Sequence, residues 1–223
     1  MIGVGYIGIE AFDIIIYIGK TLTKLNYPVL IIDLSDTEAL ARSIYHGMDL
    51  ESEDNIIHYR NLNYIRRIPT KEELDEFSNG VLLVSYGFNY IESPQLNLDF
   101  LYIVVDPFPN SSCKVRKALS KVWADNIKVN ILVRNIITLD DFDRVKSGIL
   151  LRQSNASIRY LYYDIKDYEN SLNCQLSQAV RFKKVSLRMK GFIISNLTDI
   201  LPSVKLSIIR KAVCIARKGD RCR

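Results

Sequence analysis

Residues 1–36, MIGVGYIGIEAFDIIIYIGKTLTKLNYPVLIIDLSD, decide the fold of this chain. A short apolar segment that contains glycines leads into the helical stretch Ile9–Leu25, and the strand Val29–Asp33 then ends in an acidic residue. This order of strand, glycine-bearing turn, helix and strand predicts a parallel βαβ unit of the kind that binds mononucleotides. In such a unit the phosphates bind at the turn, where the helix begins.

The remainder of the chain repeats the same alternation of strands and helices. Continuous apolar runs predict buried parallel strands, and helical stretches lie between them at Lys71–Phe77, with Thr70 as its N-cap, and at Ser112–Asp125. We expect an α/β fold with a doubly wound, mostly parallel sheet and helices on both faces. The stretch Ile56–Ile68 alternates apolar and polar residues, which predicts an edge pairing. The clearest further strands are Val81–Ser85, Leu101–Asp106, Val129–Val133 and Ile158–Tyr163.

Composition fits a single globular domain over residues 1–223. The chain is 48% hydrophobic, long enough to bury one sizeable core, and no linker or repeat divides it. A net charge of +5 admits a nucleic acid or an anionic membrane as partner without requiring either. The four cysteines show no zinc or redox spacing, so we expect reduced thiols. Neither a signal-peptide pattern nor about 18 consecutive apolar residues is present, which predicts a cytoplasmic location, with peripheral membrane contact as a variant.

The turn after the first strand lacks the side chains that phosphate binding needs. Where a P-loop carries Gly-Lys followed by Ser or Thr, this chain has Glu10, Ala11 and Phe12. The lysine of a P-loop reaches the phosphates and the hydroxyl holds magnesium. Glu10 also places a negative charge beside the amides of a helix N-terminus, which makes the site repel anions. The sequence thus predicts a nucleotide-binding scaffold without its catalytic groups.

A second interpretation of the same stretch is a dinucleotide-binding loop. Gly3, Gly5 and Gly8 match G-x-G-x-x-G, and Asp33 ends the next strand, where a Rossmann fold holds a ribose hydroxyl. This fingerprint must follow a strand, whereas here the first strand would be Met1–Tyr6 and would contain the glycines. An NAD(P)-binding Rossmann fold, and an enzyme that uses this loop, remain the alternatives.

The order of these segments resembles the ParA/MinD group of deviant-Walker ATPases. The βαβ unit that ends at Val29–Asp33 and the later stretch DFLYIVVDPFP, residues 99–109, carry the resemblance, which covers about the first 135 residues. It implies a P-loop NTPase-like fold, with ATP and magnesium as the family's cofactors. In that family the stretch ending at Asp33 follows the P-loop helix, and the strand ending at Asp106 contributes to the magnesium and γ-phosphate switch.

The resemblance implies a nucleotide site that has lost its key groups. Counted back from Asp33, the family's signature lysine falls on Tyr6, its phosphate-gripping lysine on Ala11 and its magnesium hydroxyl on Phe12. We predict no catalytic residue, no metal site and no bound cofactor, with ATP and magnesium or NAD(P) as the alternatives. The acidic residues at the strand ends could equally cap helices or close turns. The vestigial site comprises Gly5, Gly8, Glu10, Ala11, Phe12, Asp33 and Asp106.

We therefore predict a ParA/MinD-like pseudo-ATPase that serves as a localisation, scaffold or partner-binding module, of the secretion, pilus or partitioning type. The alternatives are a nucleotide- or NAD(P)-binding enzyme and a protein that binds nucleic acid through basic patches. ParA/MinD proteins act as dimers, and tyrosines suit interfaces because they bury area while keeping a polar tip. Because tyrosines cluster at Tyr160, Tyr162 and Tyr163, we expect a homodimer held by protein contacts alone.

The C-terminal stretch Val204–Lys218 predicts a basic amphipathic helix. Its apolar face can cover the sheet, which is the favoured interpretation, or dock on anionic lipid, as the resemblance to MinD-like proteins implies. A second basic cluster, Arg181–Lys190, could face lipid, nucleic acid or an acidic partner. The expected apolar face consists of Ile208, Ile209, Ala212, Val213 and Ala216. The expected partner or membrane residues are Arg210, Lys211, Arg217, Lys218, Lys183 and Lys184.

Overall fold

The computed structural model describes residues 1–37, 39–40, 55–91, 93–119, 127–149, 156–177 and 182–219. The strands are β1 (Ile2–Gly8), β2 (Val29–Asp33), β3 (Ile57–Tyr59), β4 (Leu62–Ile65), β5 (Val81–Gly87), β6 (Phe100–Val105), β7 (Lys128–Ile136) and β8 (Ser157–Tyr162). The helices are α1 (Phe12–Lys24), α2 (Lys71–Asp75), α3 (Pro109–Leu119), α4 (Leu139–Ile149), α5 (Ile165–Ser177), α6 (Leu187–Ile200) and α7 (Leu206–Arg217).

The strands form one sheet in the order β3-β4-β2-β5-β1-β6-β7-β8. Every neighbouring pair is parallel except β3 and β4, which form an antiparallel hairpin at one edge. Parallel strands that are covered on both faces must be apolar along their whole length, which explains the continuous apolar runs of the sequence. The predicted doubly wound α/β fold and the predicted edge pairing in residues 56–68 are confirmed.

Helices cover both faces of the sheet. Helices α1, α6 and α7 share one large apolar core with β1, β2 and the neighbouring strands. On the opposite face, α2 packs on β2 and β5, whereas α3 and α4 pack on β6 and β7. The helices that follow β6 and β7 therefore lie on the face of the sheet opposite α1.

Helix α1 lies in the middle of the larger core. Ile14, Ile18 and Leu22 are fully buried, and the side chains between them are buried too, because the sheet covers one side of the helix and α7 the other. Burial of an aliphatic side chain of this size stabilises a fold by about 1.5–3 kcal/mol. A helix that is buried on most of its faces, as α1 is, is expected only in such a position.

Several element boundaries differ from the sequence predictions. The first strand extends to Gly8 and α1 begins at Phe12, so the predicted glycine-bearing turn is in fact strand, and the predicted helical start at Ile9 is wrong. Helix α3 begins at Pro109, before the predicted Ser112, and residues 120–126 of that predicted helix lie outside the described residues. Helix α2 ends at Asp75, and its predicted N-cap is confirmed as a capping box.

The hairpin at the edge of the sheet turns through two residues with positive φ. Arg60 has a φ of 50° and Asn61 a φ of 63°, as in the two-residue turns that match strand twist. The buried Lys20 of α1 donates from Nζ to the carbonyl of Arg60 at 2.7 Å, which ties the turn to the central helix. His58 lies exposed in the edge strand β3.

Two negative findings apply to the described residues. None of the helices in these ranges is both long enough and apolar enough to span a bilayer. Cys113, Cys174 and Cys214, the cysteines in the described ranges, form no disulfide.

Candidate functional site

The turn between β1 and α1 contains only Ile9, Glu10 and Ala11. Gly8 precedes it with a φ of +115°, and a Cβ atom on Gly8 would lie 1.9 Å from the carbonyl oxygen of Val104. The backbone N–H of Ile9 donates to that same carbonyl at 3.0 Å. The backbone of the turn is therefore pressed against β6 and partly hydrogen-bonded to it.

The other two glycines of the motif serve the packing of β1. A Cβ atom on Gly3 would lie 1.9 Å from the carbonyl oxygen of Asn97, and one on Gly5 would meet the side chain of Leu98 at 2.9 Å. Both glycines are inside the strand rather than in the turn that follows it. The G-x-G-x-x-G pattern is therefore that of a closely packed strand, since a dinucleotide fingerprint needs its glycines after the strand.

The positions that correspond to the missing P-loop groups are apolar or buried. Tyr6 is buried in β1 and its ring stacks on Tyr102, with ring centres 5.3 Å apart. Ala11 is the buried N-cap residue of α1 and makes no side-chain capping bond, and Phe12 is the first helical residue. Ala11 and Phe12 supply neither an ammonium group nor a hydroxyl group at the start of the helix.

Arg134 approaches the start of α1 from β7. Its guanidinium group donates to Asp13 at 2.7 and 2.9 Å, and to the backbone carbonyl of Glu10 at 3.0 Å. The register between β7 and β8 shifts at this point, and Asn135 has a φ of 59°. Such an irregularity redirects a side chain at the end of a strand. The result is a two-pronged ion pair that joins β7 to the first turn of α1.

The side chain of Glu10 turns toward the loop that follows β2. Its carboxylate accepts a hydrogen bond from the hydroxyl group of Thr37. Burial raises the pKa of Glu10, and the nearby carboxylates of Asp33, Asp36 and Asp13 raise it further, whereas the bond from Thr37 lowers it. The carboxylates of Asp33, Asp36 and Asp13 thus lie close enough to Glu10 to disfavour its ionisation.

The two predicted acidic strand ends both close turns. Asp33 accepts hydrogen bonds from the backbone and side chain of Ser35 and, at 3.1 Å, from the hydroxyl group of Tyr64. Asp106 accepts from the backbone N–H of Phe108 at 3.1 Å. Within the described ranges, His, Cys, Asp and Glu side chains form no group that could hold a metal ion. The carboxylates of Glu10 and Asp33 therefore both accept hydrogen bonds from the loop that follows β2.

A cleft of about 240 Å³ opens beside the turn, between α1, the ends of β7 and β8, and α5. Its lining carries four carboxylates, one guanidinium group and the side chains of tyrosines. The charged lining residues are Glu10, Asp13, Arg134, Asp164 and Asp167.

Comparison with known proteins gives matches in structure only. No protein-family model and no curated protein sequence matches the chain. A solved MinC:MinD cell division protein complex from Aquifex aeolicus matches with a TM-score of 0.56, 14% sequence identity and coverage of 100% of this chain and 99% of that chain. A ParA family ATPase from Chlorobium tepidum matches with a TM-score of 0.53, 16% identity and 96% coverage of both chains.

A third solved structure is a putative plasmid partition protein from Borrelia burgdorferi bound to AMPPNP. It matches with a TM-score of 0.57, 11% identity and coverage of 91% of this chain and 99% of that chain. The fold is that of the ParA/MinD ATPases. In this ParA/MinD fold β1 lies between β5 and β6, where the strand order reverses, and ligands of open α/β sheets bind at such a point. The β1–α1 turn is thus where the fold would place a ligand.

The expected partner residues lie elsewhere on the ParA/MinD fold. Helix α7 packs its apolar face on α1 and α6, so most of that face is buried in the core, but against helices rather than directly on the sheet as predicted. Ile208 was assigned wrongly, because it is 49% exposed at the margin of the contact. Arg217 bonds to the backbone carbonyls of Phe182 and Lys183 and so fastens the segment before α6. The remaining expected residues, Arg210, Lys211, Lys218, Lys183 and Lys184, are exposed.

Sequence reasoning missed Asp13, Arg134 and Thr37, the residues whose side chains form the hydrogen bonds at the start of α1. Asp13 and Arg134 are 121 positions apart in the chain, so only the fold brings them together. An acidic residue in the first turn of a helix usually indicates an interaction with the helix dipole. The sequence pattern does not show which side chain such a residue will bind. Thr37 carried no signal, because its role depends on the direction of the loop after β2.

Proposed function

We propose that this chain is a non-catalytic protein with the ParA/MinD fold, a pseudo-ATPase that acts as a localisation, scaffold or partner-binding module. The observation that carries the proposal is the bond of Arg134 to Asp13 and to the carbonyl of Glu10 at the start of α1. A triphosphate would have to reach this helix N-terminus. The positive charge available there is instead engaged by an internal carboxylate.

The short turn supports the proposal. A P-loop wraps phosphates with the backbone N–H groups of a glycine-rich loop between strand and helix. Here the strand continues to Gly8, only three residues precede α1, and the N–H of Ile9 already donates to Val104. The turn therefore has too little backbone to enclose a phosphate chain.

The charge of the site supports it as well. Two unit charges 4 Å apart repel by about 1 kcal/mol in water and by about 4 kcal/mol near a protein surface. Glu10 and the carboxylates around it would exert such repulsion on each phosphate, without a magnesium ligand or a lysine to compensate. Phosphoryl transfer depends almost entirely on positioning and on neutralisation of charge, so hydrolysis by the family mechanism has no basis in these residues.

The biological setting follows by analogy of fold. The solved proteins of this fold include a cell division complex and a plasmid partition protein, so we propose a role in positioning or partitioning another assembly, with secretion and pilus localisation as related settings. The cytoplasmic location and the homodimer remain predictions. Light scattering tests the homodimer, and a monodisperse monomer at tens of micromolar would contradict it.

One observation favours a second candidate, a nucleotide-binding protein with a rebuilt site. The cleft beside α1 has tyrosines that could stack on a base and includes Arg134. For Arg134 to reach a phosphate, its bonds to Asp13 would have to break. This candidate therefore predicts binding that improves when Asp13 loses its charge.

Isothermal titration of the purified protein with Mg-ATP, ADP and NAD tests the proposal. We expect no heat of binding for any of the three with folded protein, both for the wild type and for Asp13→Asn. Micromolar binding of ATP would overturn the proposal, and tighter binding by Asp13→Asn would establish the second candidate. Binding of NAD alone would instead indicate a dinucleotide site.

A further inference from the structure

The outward face of α5 carries an apolar stripe that is exposed to solvent. Its residues are spaced at i, i+3, i+7 and i+11, so they lie along one face over about 17 Å of helix. Tyr168 is 56% exposed, Leu172 42% and Leu176 70%. Together with the exposed Ile165, these three residues form what we call the α5 stripe.

The inward face of the same helix carries Cys174, which belongs to the large apolar core, together with polar residues. Asn170 is buried and donates to the hydroxyl group of Tyr17 in α1 at 2.7 Å. Asp167 accepts from the backbone and side chain of Ser186 at 2.6 and 2.7 Å. A surface helix normally turns its apolar face to the core and its polar face to water. Helix α5 instead leaves its large apolar side chains in solvent, and exposed apolar surface of this kind marks an interaction site.

The stripe continues directly into the acidic cleft. Tyr168 and Leu172 belong to the stripe and also line the cleft. Exposed Tyr163 extends the apolar surface from the cleft, with its ring centre 6.4 Å from that of Tyr168. The cleft lining carries four carboxylates against one guanidinium group, and a second guanidinium group, that of Arg188, lies 4.1 Å from the ring centre of the lining residue Tyr162. The net charge beside the stripe is still negative. Tyrosine faces and carboxylates together favour lysine and arginine side chains.

We propose that the α5 stripe binds an amphipathic helix of a partner protein, whose apolar face lies on the stripe and whose basic flank enters the acidic cleft. This is the groove recognition in which anchors at helical spacing contact an apolar surface. Charge complementarity identifies the occupant. A second copy docked through the same face about a two-fold axis would place acidic cleft against acidic cleft, and like charges oppose association.

This inference rests on the proposed function, because a scaffold without catalysis acts through the partner it holds. The two can fail separately. Nucleotide titration reports on the start of α1, whereas binding of a helical peptide reports on α5.

Fluorescence anisotropy of labelled synthetic helices tests the inference on the full chain. The probe is a peptide of about 14 residues with leucines at i, i+3, i+4 and i+7 and lysines elsewhere. The matched control peptide keeps the leucines and replaces every lysine with glutamate. We expect saturable binding of the leucine–lysine peptide, binding of the leucine–glutamate peptide weaker by at least about tenfold, and weakening in high salt.

Matched variants of the protein locate the binding site. Leu172→Glu on the stripe should weaken binding of the leucine–lysine peptide by at least about tenfold, because it places a charge in the apolar contact. Ile208→Glu on α7 is the control, since Ile208 is exposed to a similar extent and should leave binding unchanged. Leu172→Ala, which keeps the surface apolar, should weaken binding less than Leu172→Glu does.

Four results would overturn the proposal. The first is an absence of binding by the leucine–lysine peptide to folded protein. The second is equal binding of the two peptides, which would show that charge has no part. The third is equal loss in Leu172→Glu and Ile208→Glu, which would indicate nonspecific adsorption. The fourth is a wild-type dimer that Leu172→Glu separates, which would make a second copy the occupant.

Discussion

Helices α1 and α5 have the same length, 13 residues, and both line the cleft at the ends of β7 and β8. They differ in which side chains they bury. Ten residues of α1 are buried, and its first turn is held by Arg134. In α5 only Asn170 and Cys174 are buried, while its large apolar side chains face solvent.

This difference shows which surface of the molecule remains available for contacts with a partner. At α1 the charged groups are bonded within the chain, because Arg134 donates to Asp13 and to the carbonyl of Glu10. Under the proposed function this end of the helix therefore offers no contacts to a nucleotide. At α5 the apolar surface has no such internal role. Substitutions in the buried region around α1 and on the exposed face of α5 test this division.

The largest effect is expected for Gly8→Ala. The new Cβ would lie 1.9 Å from the carbonyl oxygen of Val104 and would require an unfavourable φ of +115°. We expect a loss of more than about 5 kcal/mol, enough to unfold most domains, in urea denaturation. Gly191→Ala on α6 is the control: nothing lies within 4 Å of its Cβ, so it should stabilise the protein by up to about 1 kcal/mol. Similar stability of the two variants would contradict the packing account of Gly8.

Arg134→Met should cost about 3–5 kcal/mol, because it leaves the carboxylate of Asp13 buried without its counter-charge. The side chain of Asp13 is only 3% exposed. Urea denaturation at neutral pH measures the loss. Arg67→Met provides the comparison, since the ion pair of Arg67 with Glu73 is more exposed and its removal should cost no more than about 1 kcal/mol. Equal losses in the two variants would show that the ion pair at α1 is an ordinary surface contact.

Glu10→Gln should stabilise the protein in a pH-dependent way. Because the pKa of Glu10 is raised in the folded state, its ionisation costs free energy, and wild-type stability falls as the pH rises through that pKa. We expect the variant to be more stable than the wild type near neutral pH. Below the pKa of an unfolded glutamate the advantage should vanish. A pH series of urea denaturations tests this, and a constant difference at all pH values would contradict it.

The smallest effect is expected on α5. Leu172→Ala should change the free energy of unfolding by less than about 0.5 kcal/mol, because the side chain is already exposed. Leu22→Ala in α1 should cost about 2–5 kcal/mol, because it opens a cavity in the core. Thermal and urea denaturation of the pair measure the contrast. Comparable losses would show that α5 packs more tightly than its exposure indicates.

The sequence predicted the layers of the fold well, for a physical reason. Parallel strands covered on both faces must be apolar throughout, so runs such as Val81–Ser85 and Leu101–Asp106 can be recognised as buried strands in the sequence. The capping box at Thr70 is local, which is why the start of α2 was predicted correctly. The end of β1 was not, because Gly8, the glycine at the strand end, also fits a turn when the backbone is unknown.

The candidate site was less predictable because its contacts are long-range. No pattern in the sequence pairs Arg134 with Asp13, and the register shift at the end of β7 that directs Arg134 depends on the neighbouring strand. For α5 the spacing from Ile165 to Leu176 is visible in the sequence. Periodicity shows which residues share a face, but only the packed structure shows which face meets the core. The wrong assignment of Ile208 has the same cause.

The most direct test of the central claim is a crystal structure of the protein grown with magnesium and an excess of a non-hydrolysable ATP analogue. We predict no nucleotide density at the start of α1, with Arg134 bonded to Asp13 and to the carbonyl of Glu10. Density for a triphosphate against the turn, with Arg134 released from Asp13, would contradict the account and show a nucleotide site that has been rebuilt.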